Sequence, residues 1–374
     1  MKIMSIIGAR PQFVKEAIVQ HEINKYDDIE EVVVHTGQHY DENMSGVFFD
    51  VLKMKKPDYN LGINGMTHGE MTGNMIIEIE KILLKEEPDL LILYGDTNST
   101  LAGAIAASKL GISVCHIEAG LRQEPKTMPE EINRVLTDRI SNFLFVPSEY
   151  GLENLKKENI TNNVYFTGDV MYDIFLKMRP SFDDSLMNEL SLKENNFILM
   201  TLHRDFNVDK KETLEEILTQ VNKVSKEIPV VFPIHPRTKS RVEKFQLSHL
   251  LENVKVLDPI DYLSLMGLTE KCKIVLTDSG GFQKESYFAG KRAVVVMEDT
   301  SWRELTDKGI NMLSAPEDIY KHIMSNDDVV FEKNIYGSGN AAEQIVNILH
   351  EELMLWKKEL FSYLYYFLFF LLVV

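Results

Sequence analysis

Short apolar runs that end abruptly in a polar cluster recur along the chain and set the strongest limit on how it can fold. The run Leu90–Tyr94 delivers Gly95, Asp96, Thr97 and Asn98, and the same grammar appears in KIMSIIGARPQ, EVVVHTGQH, ISVCHIEAGLR, FILMTLHRDFN, VVFPIHPR and KIVLTDSGG. Longer stretches of helical character, such as residues 68–84 and 213–226, lie between such runs. Buried strands alternating with helices are the pattern of βαβ units building parallel sheets, so the fold class is α/β. In open sheets of that kind ligands bind beyond the carboxyl ends of the strands, where these carboxylates, histidines, arginines and glycines sit.

A chain of 374 residues exceeds what one hydrophobic core usually organises, which predicts about two domains. The run of motifs breaks over residues 168–196, which carry a proline and no buried strand. The expected division is therefore 1–170 and 171–335, two similar doubly wound domains facing each other across a cleft.

The net charge of −17 argues against nucleic acid, whose phosphates are held by clustered Lys and Arg. A small anion needs only a few placed cations and backbone amides. Cys115 and Cys272 lie inside apolar runs, as buried thiols in a reducing compartment do, and no disulfide or metal framework is expected. No secretory signal is read at the start, where residues 1–7 form a strand-like run. The apolar residues 361–374 fall short of the ~20 that a helix needs to cross a bilayer. An interfacial anchor, a segment packed on the body and a sequence artefact all remain open for this tail, and no functional role is assigned to it.

Gly8-Ala9-Arg10-Pro11-Gln12 follows the first strand but lacks the G-x-G-x-x-G spacing, and no G-x-x-x-x-G-K-[ST] occurs, so hydride transfer from NAD and phosphoryl transfer from ATP lose support. Arg10 and Lys15 at the head of the next helix can hold an anion, and ordinary surface cations explain them equally well. Asp96 either serves a site or caps the helix that starts near Ser99. His116 and Glu118 are two apart, which places both on one face of a strand and favours a site role for Glu118. MPEEINRVLTDR opens a helix with Pro129 and two acids in its first turn; the pairs Glu130–Arg134 and Arg134–Asp138 read as an ion-pair ladder on spacing alone, while the helix could also carry a second carboxylate to Glu118. His203-Arg204 and His235-Pro236-Arg237 put two imidazoles and two guanidiniums on one sheet edge, which suits an anion better than zinc. Asp278-Ser279-Gly280-Gly281 runs into a helix carrying Glu285, where amides and a hydroxyl make a phosphate cradle and a carboxylate one turn on can take both hydroxyls of a ribose. Together the residues suggest a nucleotide diphosphate held by the second domain and carboxylates of the first facing what is attached to it.

The motifs GARPQFVK, HTGQHYD, GDTNSTLAG, HIEAGLR, MPEEINR, TLHR, HPR, DSGGFQKE and YGSGNA resemble, in order over residues 2–349, the non-hydrolysing UDP-N-acetylglucosamine 2-epimerase family. The resemblance implies two Rossmann-like domains in the glycosyltransferase-B arrangement, a C-terminal helix (336–358) returning to the first domain ahead of the tail (359–374), a homodimer, a cytoplasmic enzyme supplying sugars for cell-surface polysaccharide, and no cofactor or metal. The implied reaction interconverts UDP-GlcNAc and UDP-ManNAc: UDP leaves C1 as the C2 proton is removed, and re-adds to the resulting glycal. By motif, Asp96, Glu118 and Glu130 resemble the acid/base carboxylates and His203 the residue near the departing diphosphate; Arg10, Lys15, Arg134, His235, Arg237, Ser279, Gly280, Gly281 and Glu285 would hold the UDP-sugar. Phe206 stands where the family usually has Glu, and Ser301 where Glu is common. HTGQHYDENMSGVFFD, NGMTHGEMTG and the place of Trp302 look closer to the branch acting on UDP-2,3-diacetamido-2,3-dideoxyglucuronic acid, which is the alternative substrate. A hydrolysing epimerase and a UDP-sugar binder without turnover are weaker readings.

Overall fold

The computed structural model describes residues 1–38, 54–325 and 330–373, the side chains of Arg10, Lys357 and 359–373 excepted. The quoted run HTGQHYDENMSGVFFD therefore lies mostly outside the described residues. The chain forms two compact units, Met1–Ile174 with Tyr336–Val374, and Phe175–Ile335.

In the first unit β1 (Lys2–Ile7), β2 (Glu30–His35), β3 (Tyr59–Asn60), β4 (Leu90–Tyr94), β5 (Ser113–Ile117), β6 (Phe143–Val146) and β7 (Val164–Phe166) make one parallel sheet in the order β3-β2-β1-β4-β5-β6-β7. β4 and β6 are buried throughout, as strands covered by helices on both faces must be, and they read as unbroken apolar runs. Between them run the helices Arg10–Ile23, His68–Glu86, Asn98–Leu110, Pro129–Ile140 and Glu149–Lys157.

The second unit repeats the plan with β8 (Ile198–Thr201), β9 (Val230–Pro233), β10 (Lys255–Leu257), β11 (Ile274–Thr277), β12 (Ala293–Val295) and β13 (Asn311–Leu313), in the order β10-β9-β8-β11-β12-β13. In both parallel sheets the order of strands thus reverses once, between β1 and β4 and between β8 and β11. Such switch points splay the flanking loops apart and leave a crevice at the carboxyl edge.

The first crossing between units falls inside helix Val170–Met178, and the chain returns at Tyr336. The last helix, Ala341–Val373, is continuous in its backbone across the expected division at 358/359. Its buried Ala341, Ala342, Ile345, Val346, Leu349 and Leu353 belong to the first unit, where the helix packs on Arg10–Ile23. Among the described residues no helix is long and apolar enough to cross a membrane.

Candidate active site

At the switch point of the first unit, Gln12 ties the two splayed loops together. Its Oε1 accepts from the amides of Gly8 and Ala9 (2.8 and 3.0 Å), and its Nε2 donates to the Tyr94 carbonyl (2.6 Å) and to the hydroxyls of Thr97 and Thr100 (3.0 Å each). Gly8 is required by this closeness, because a Cβ there would fall 2.1 Å from Ser99 Oγ. Arg10 heads the helix that begins here, but its side chain lies outside the described residues.

Asp96 follows the left-handed Gly95 (φ +63°) and does not cap the next helix; the cap is Thr97, whose side chain accepts from the Thr100 amide. The Asp96 carboxylate is instead paired with Arg134, a nearly buried guanidinium whose Nη1 also reaches Glu131 at 2.6 Å. The expected Glu130–Arg134 and Arg134–Asp138 ladder is thereby corrected: Arg134 turns inward to Asp96 and Glu131, and Glu130 lies exposed on its helix without an ion pair among the described residues. Asn133 adds a bond from Nδ2 to the Asp96 carbonyl (3.0 Å).

Glu118 sits just past β5 at φ +74°, a region that costs a side chain about 1 kcal/mol or more. The reading that His116 and Glu118 share a strand face fails here, since the left-handed turn breaks the alternation. The Glu118 carboxylate meets Lys15 Nζ at 2.7 Å with both side chains largely buried, so Lys15 is occupied by a carboxylate in this structure. A Cβ on Gly95 would lie 3.4 Å from Glu118 Oε1 and 3.5 Å from Lys15 Nζ, which places this pair against the turn that presents Asp96. His116 is fully buried, between Asp138 Oδ1 and the Gly95 carbonyl, both at 2.7 Å.

In the second unit Asp278, fully buried at the end of β11, organises the facing loop. Its carboxylate accepts from the amides of His203 (3.0 Å) and Arg204 (2.9 Å) and from Asn207 Nδ2 (3.2 Å), and lies 3.2 Å from His203 Nδ1. Burial opposes its charge, but the bonds from His203, Arg204 and Asn207 hold the carboxyl below its ordinary range. His203 packs beside His235 with ring centroids 5.6 Å apart. His235 caps the helix Pro236–Lys244 by accepting from the Arg237 amide, and burial with the neighbouring His203 and Arg237 charges lowers its pKa. Arg237 is shared with Asp209, which also holds Arg241. Ser279 caps Gly280–Phe288, Arg204 Nη2 stands 3.8 Å from where a Gly280 Cβ would be, and nothing lies within 4 Å of one on Gly281. The first amides of that helix, lacking intrahelical acceptors, open toward this uncovered turn. Glu285, a turn further along, is half-buried.

A family model described as UDP-N-acetylglucosamine 2-epimerase matches residues 21–350. The chain belongs to that family. Among its epimerase relatives, a protein named UDP-N-acetylglucosamine 2-epimerase homolog from Methanococcus maripaludis is 45% identical over 93% of this chain and 99% of its own. The UDP-2,3-diacetamido-2,3-dideoxy-D-glucuronate 2-epimerase of Pseudomonas aeruginosa is 44% identical over 93% and 99%. The crystal structure of the Methanocaldococcus jannaschii UDP-GlcNAc 2-epimerase in complex with UDP-GlcNAc and UDP matches with a TM-score of 0.83 at 39% identity, covering 94% of this chain and 100% of that one. The sequence assigned no site role to Gln12, Asn133 or Asp138 and did not show Asp278 as the organiser of its loop; Gln12 and Asp278 follow strands, Asn133 and Asp138 lie on the helix Pro129–Ile140, and only the fold shows what each touches. Among the described residues no group of His, Cys, Asp and Glu is placed to hold a metal ion.

Proposed function

We propose that this epimerase inverts C2 of UDP-N-acetylglucosamine, interconverting it with UDP-N-acetylmannosamine for polysaccharide assembly. The observation that carries the reading is the Glu118–Lys15 pair lying against the Gly95–Asp96 turn, two carboxylates and two cations gathered at one carboxyl edge. The C2 proton is removed by a carboxylate while the C1–O bond breaks and its electron pair leaves on UDP; UDP then re-adds to C1 of the glycal, and a proton returned to C2 on the opposite face completes the inversion. Asp96, Glu118 and Glu130 are assigned to proton handling, with Arg134 orienting Asp96. In the second unit His203, Arg204, His235, Arg237, Ser279 and the Gly280 and Gly281 amides are assigned to the diphosphate, whose charge grows as it departs, and Glu285 to the ribose. Arg10 and Lys15 are assigned to the sugar-bearing end.

A second reading, inversion of UDP-2,3-diacetamido-2,3-dideoxyglucuronate, is favoured by the 44% identity to the Pseudomonas enzyme and uses the same residues. The exposed ridge Ile132, Leu136 and Ile140 on one helix supports a homodimer, which light scattering would detect. The free, buried Cys115 and Cys272 support a cytoplasmic setting.

Proton NMR with UDP-N-acetylglucosamine in deuterated water tests the reading. The expected result is the manno epimer, still on UDP, with deuterium at C2. Free UDP with N-acetylmannosamine would instead make the protein a hydrolase, and exchange only with the diacetamido uronate would select the second reading. Asp96→Asn, Glu118→Gln and Glu130→Gln are expected to abolish turnover; undiminished rates would remove the residue concerned from the chemistry.

A further inference from the structure

The carboxylate chemistry does not account for a buried polar cluster of the first unit, which stands directly behind it. His116 projects from β5, entirely out of solvent, and both its ring nitrogens face acceptors: Nδ1 the Asp138 carboxylate and Nε2 the carbonyl of Gly95, each at 2.7 Å. The ring thus bridges a buried carboxylate and a backbone carbonyl. Asp138 is equally buried and has two further partners. Its Oδ2 accepts from Arg122 Nη1 at 2.7 Å and from the amide of Gly120 at 3.1 Å, and Arg122 is itself held by Glu158 through Nε (2.6 Å) and Nη2 (2.8 Å).

Two turns are thus fastened to one network. The ring holds the carbonyl of Gly95, whose peptide bond leads straight into Asp96. Through its other oxygen Asp138 holds the amide of Gly120, two residues past Glu118. Both turns depend on such fixing, because Gly95, Glu118 and Gly120 all take left-handed backbone angles (φ +63°, +74° and +81°) that extended strand does not enforce. Burial makes the fixing strong, since water does not compete for these bonds.

We propose that His116, backed by Asp138, is a positioning residue that sets the Gly95–Asp96 turn and couples it to the turn bearing Glu118, so that the two carboxylates keep a fixed mutual geometry. The inference rests on the proposed roles of Asp96 and Glu118. It goes beyond them by giving a catalytic consequence to side chains that touch no substrate.

Three variants of the full chain test it. His116→Gln can still place an amide N–H on the Gly95 carbonyl. His116→Asn reaches Asp138 but not Gly95. Asp138→Asn weakens both attachments. For His116→Asn, kcat is expected to fall 10- to 100-fold with KM and UDP affinity within twofold of wild type, and the Gly95 amide, bonded to the Ile117 carbonyl at 3.0 Å, is expected to exchange faster with solvent. His116→Gln is expected to restore most of kcat and slow exchange at Gly95. Asp138→Asn is expected to speed exchange at both Gly95 and Gly120. If the Asn and Gln variants behave alike, or if kcat loss simply follows lowered Tm, the proposal is overturned. A wild type that turns over no UDP-sugar would sink the functional reading instead, and amide exchange would still decide whether His116 positions the turn.

Discussion

Arg134 shows how far a single side chain can depart from its apparent place. On helix spacing it belongs to a solvated ladder, yet its guanidinium is buried between Asp96 and Glu131, and Glu131 is almost wholly inside. Removing one partner of a buried charged set leaves the others uncompensated, which typically costs about 3 kcal/mol or more. Arg134→Met is therefore expected to lower the urea midpoint by an amount corresponding to about 3 kcal/mol and to lose epimerisation together with it. A midpoint shift under 1 kcal/mol would mean that water reaches Glu131 more freely than its burial implies. Placement was legible where an apolar strand delivered a polar cluster, as at Asp96 beyond β4 and His203 beyond β8. It was not legible where the partner comes from far along the chain: nothing in MPEEINR says that Arg134 will meet Asp96, and only the strand order makes that meeting possible.

Elements were easiest to read where they were long and buried. The two-residue β3 is too short to show a period, and β13, which opens on Asn311, presents no apolar run of its own. Interiors read well, and junctions did not. Helix Val170–Met178 carries Asp173, whose carboxylate accepts the Ala342 amide at 2.7 Å and so anchors the start of the last helix. Burial pushes that carboxyl up to about 6, with Asp169 and Glu22 adding like charge, although the amides of Ala342 and Ala341 pull the other way. A carboxyl raised in the folded state contributes stability that is fully present below about pH 4 and is lost as pH rises through about 6. Asp173→Asn keeps an acceptor for Ala342 without the charge. It is expected to flatten the pH dependence of stability between about 4 and 7 and to gain on the order of 2 kcal/mol at pH 8. Denaturant titrations of both proteins across that range check this, and parallel curves would show that Asp173 is not the titrating group.

The whole molecule is one topological idea used twice, since each sheet runs third-second-first-fourth-fifth-sixth strand from one edge and the first adds a seventh. The recurring grammar of the sequence made that repetition readable, while the return of the chain at Tyr336 carries no strand signal. Yet the return matters energetically. Burying Ile345, Val346, Leu349 and Leu353 is worth about 8 kcal/mol at roughly 2 kcal/mol per side chain, comparable with the ~5–15 kcal/mol that holds a whole domain. Removing residues 336–374 is expected to unfold the first unit and leave Phe175–Ile335 protected in limited proteolysis; equal resistance of both units would contradict it. The same arrangement orders events at the ribosome. The strands of the first unit emerge first, but the helix that seals them is translated only after the intervening unit, so the half that begins folding earliest is the half that finishes last.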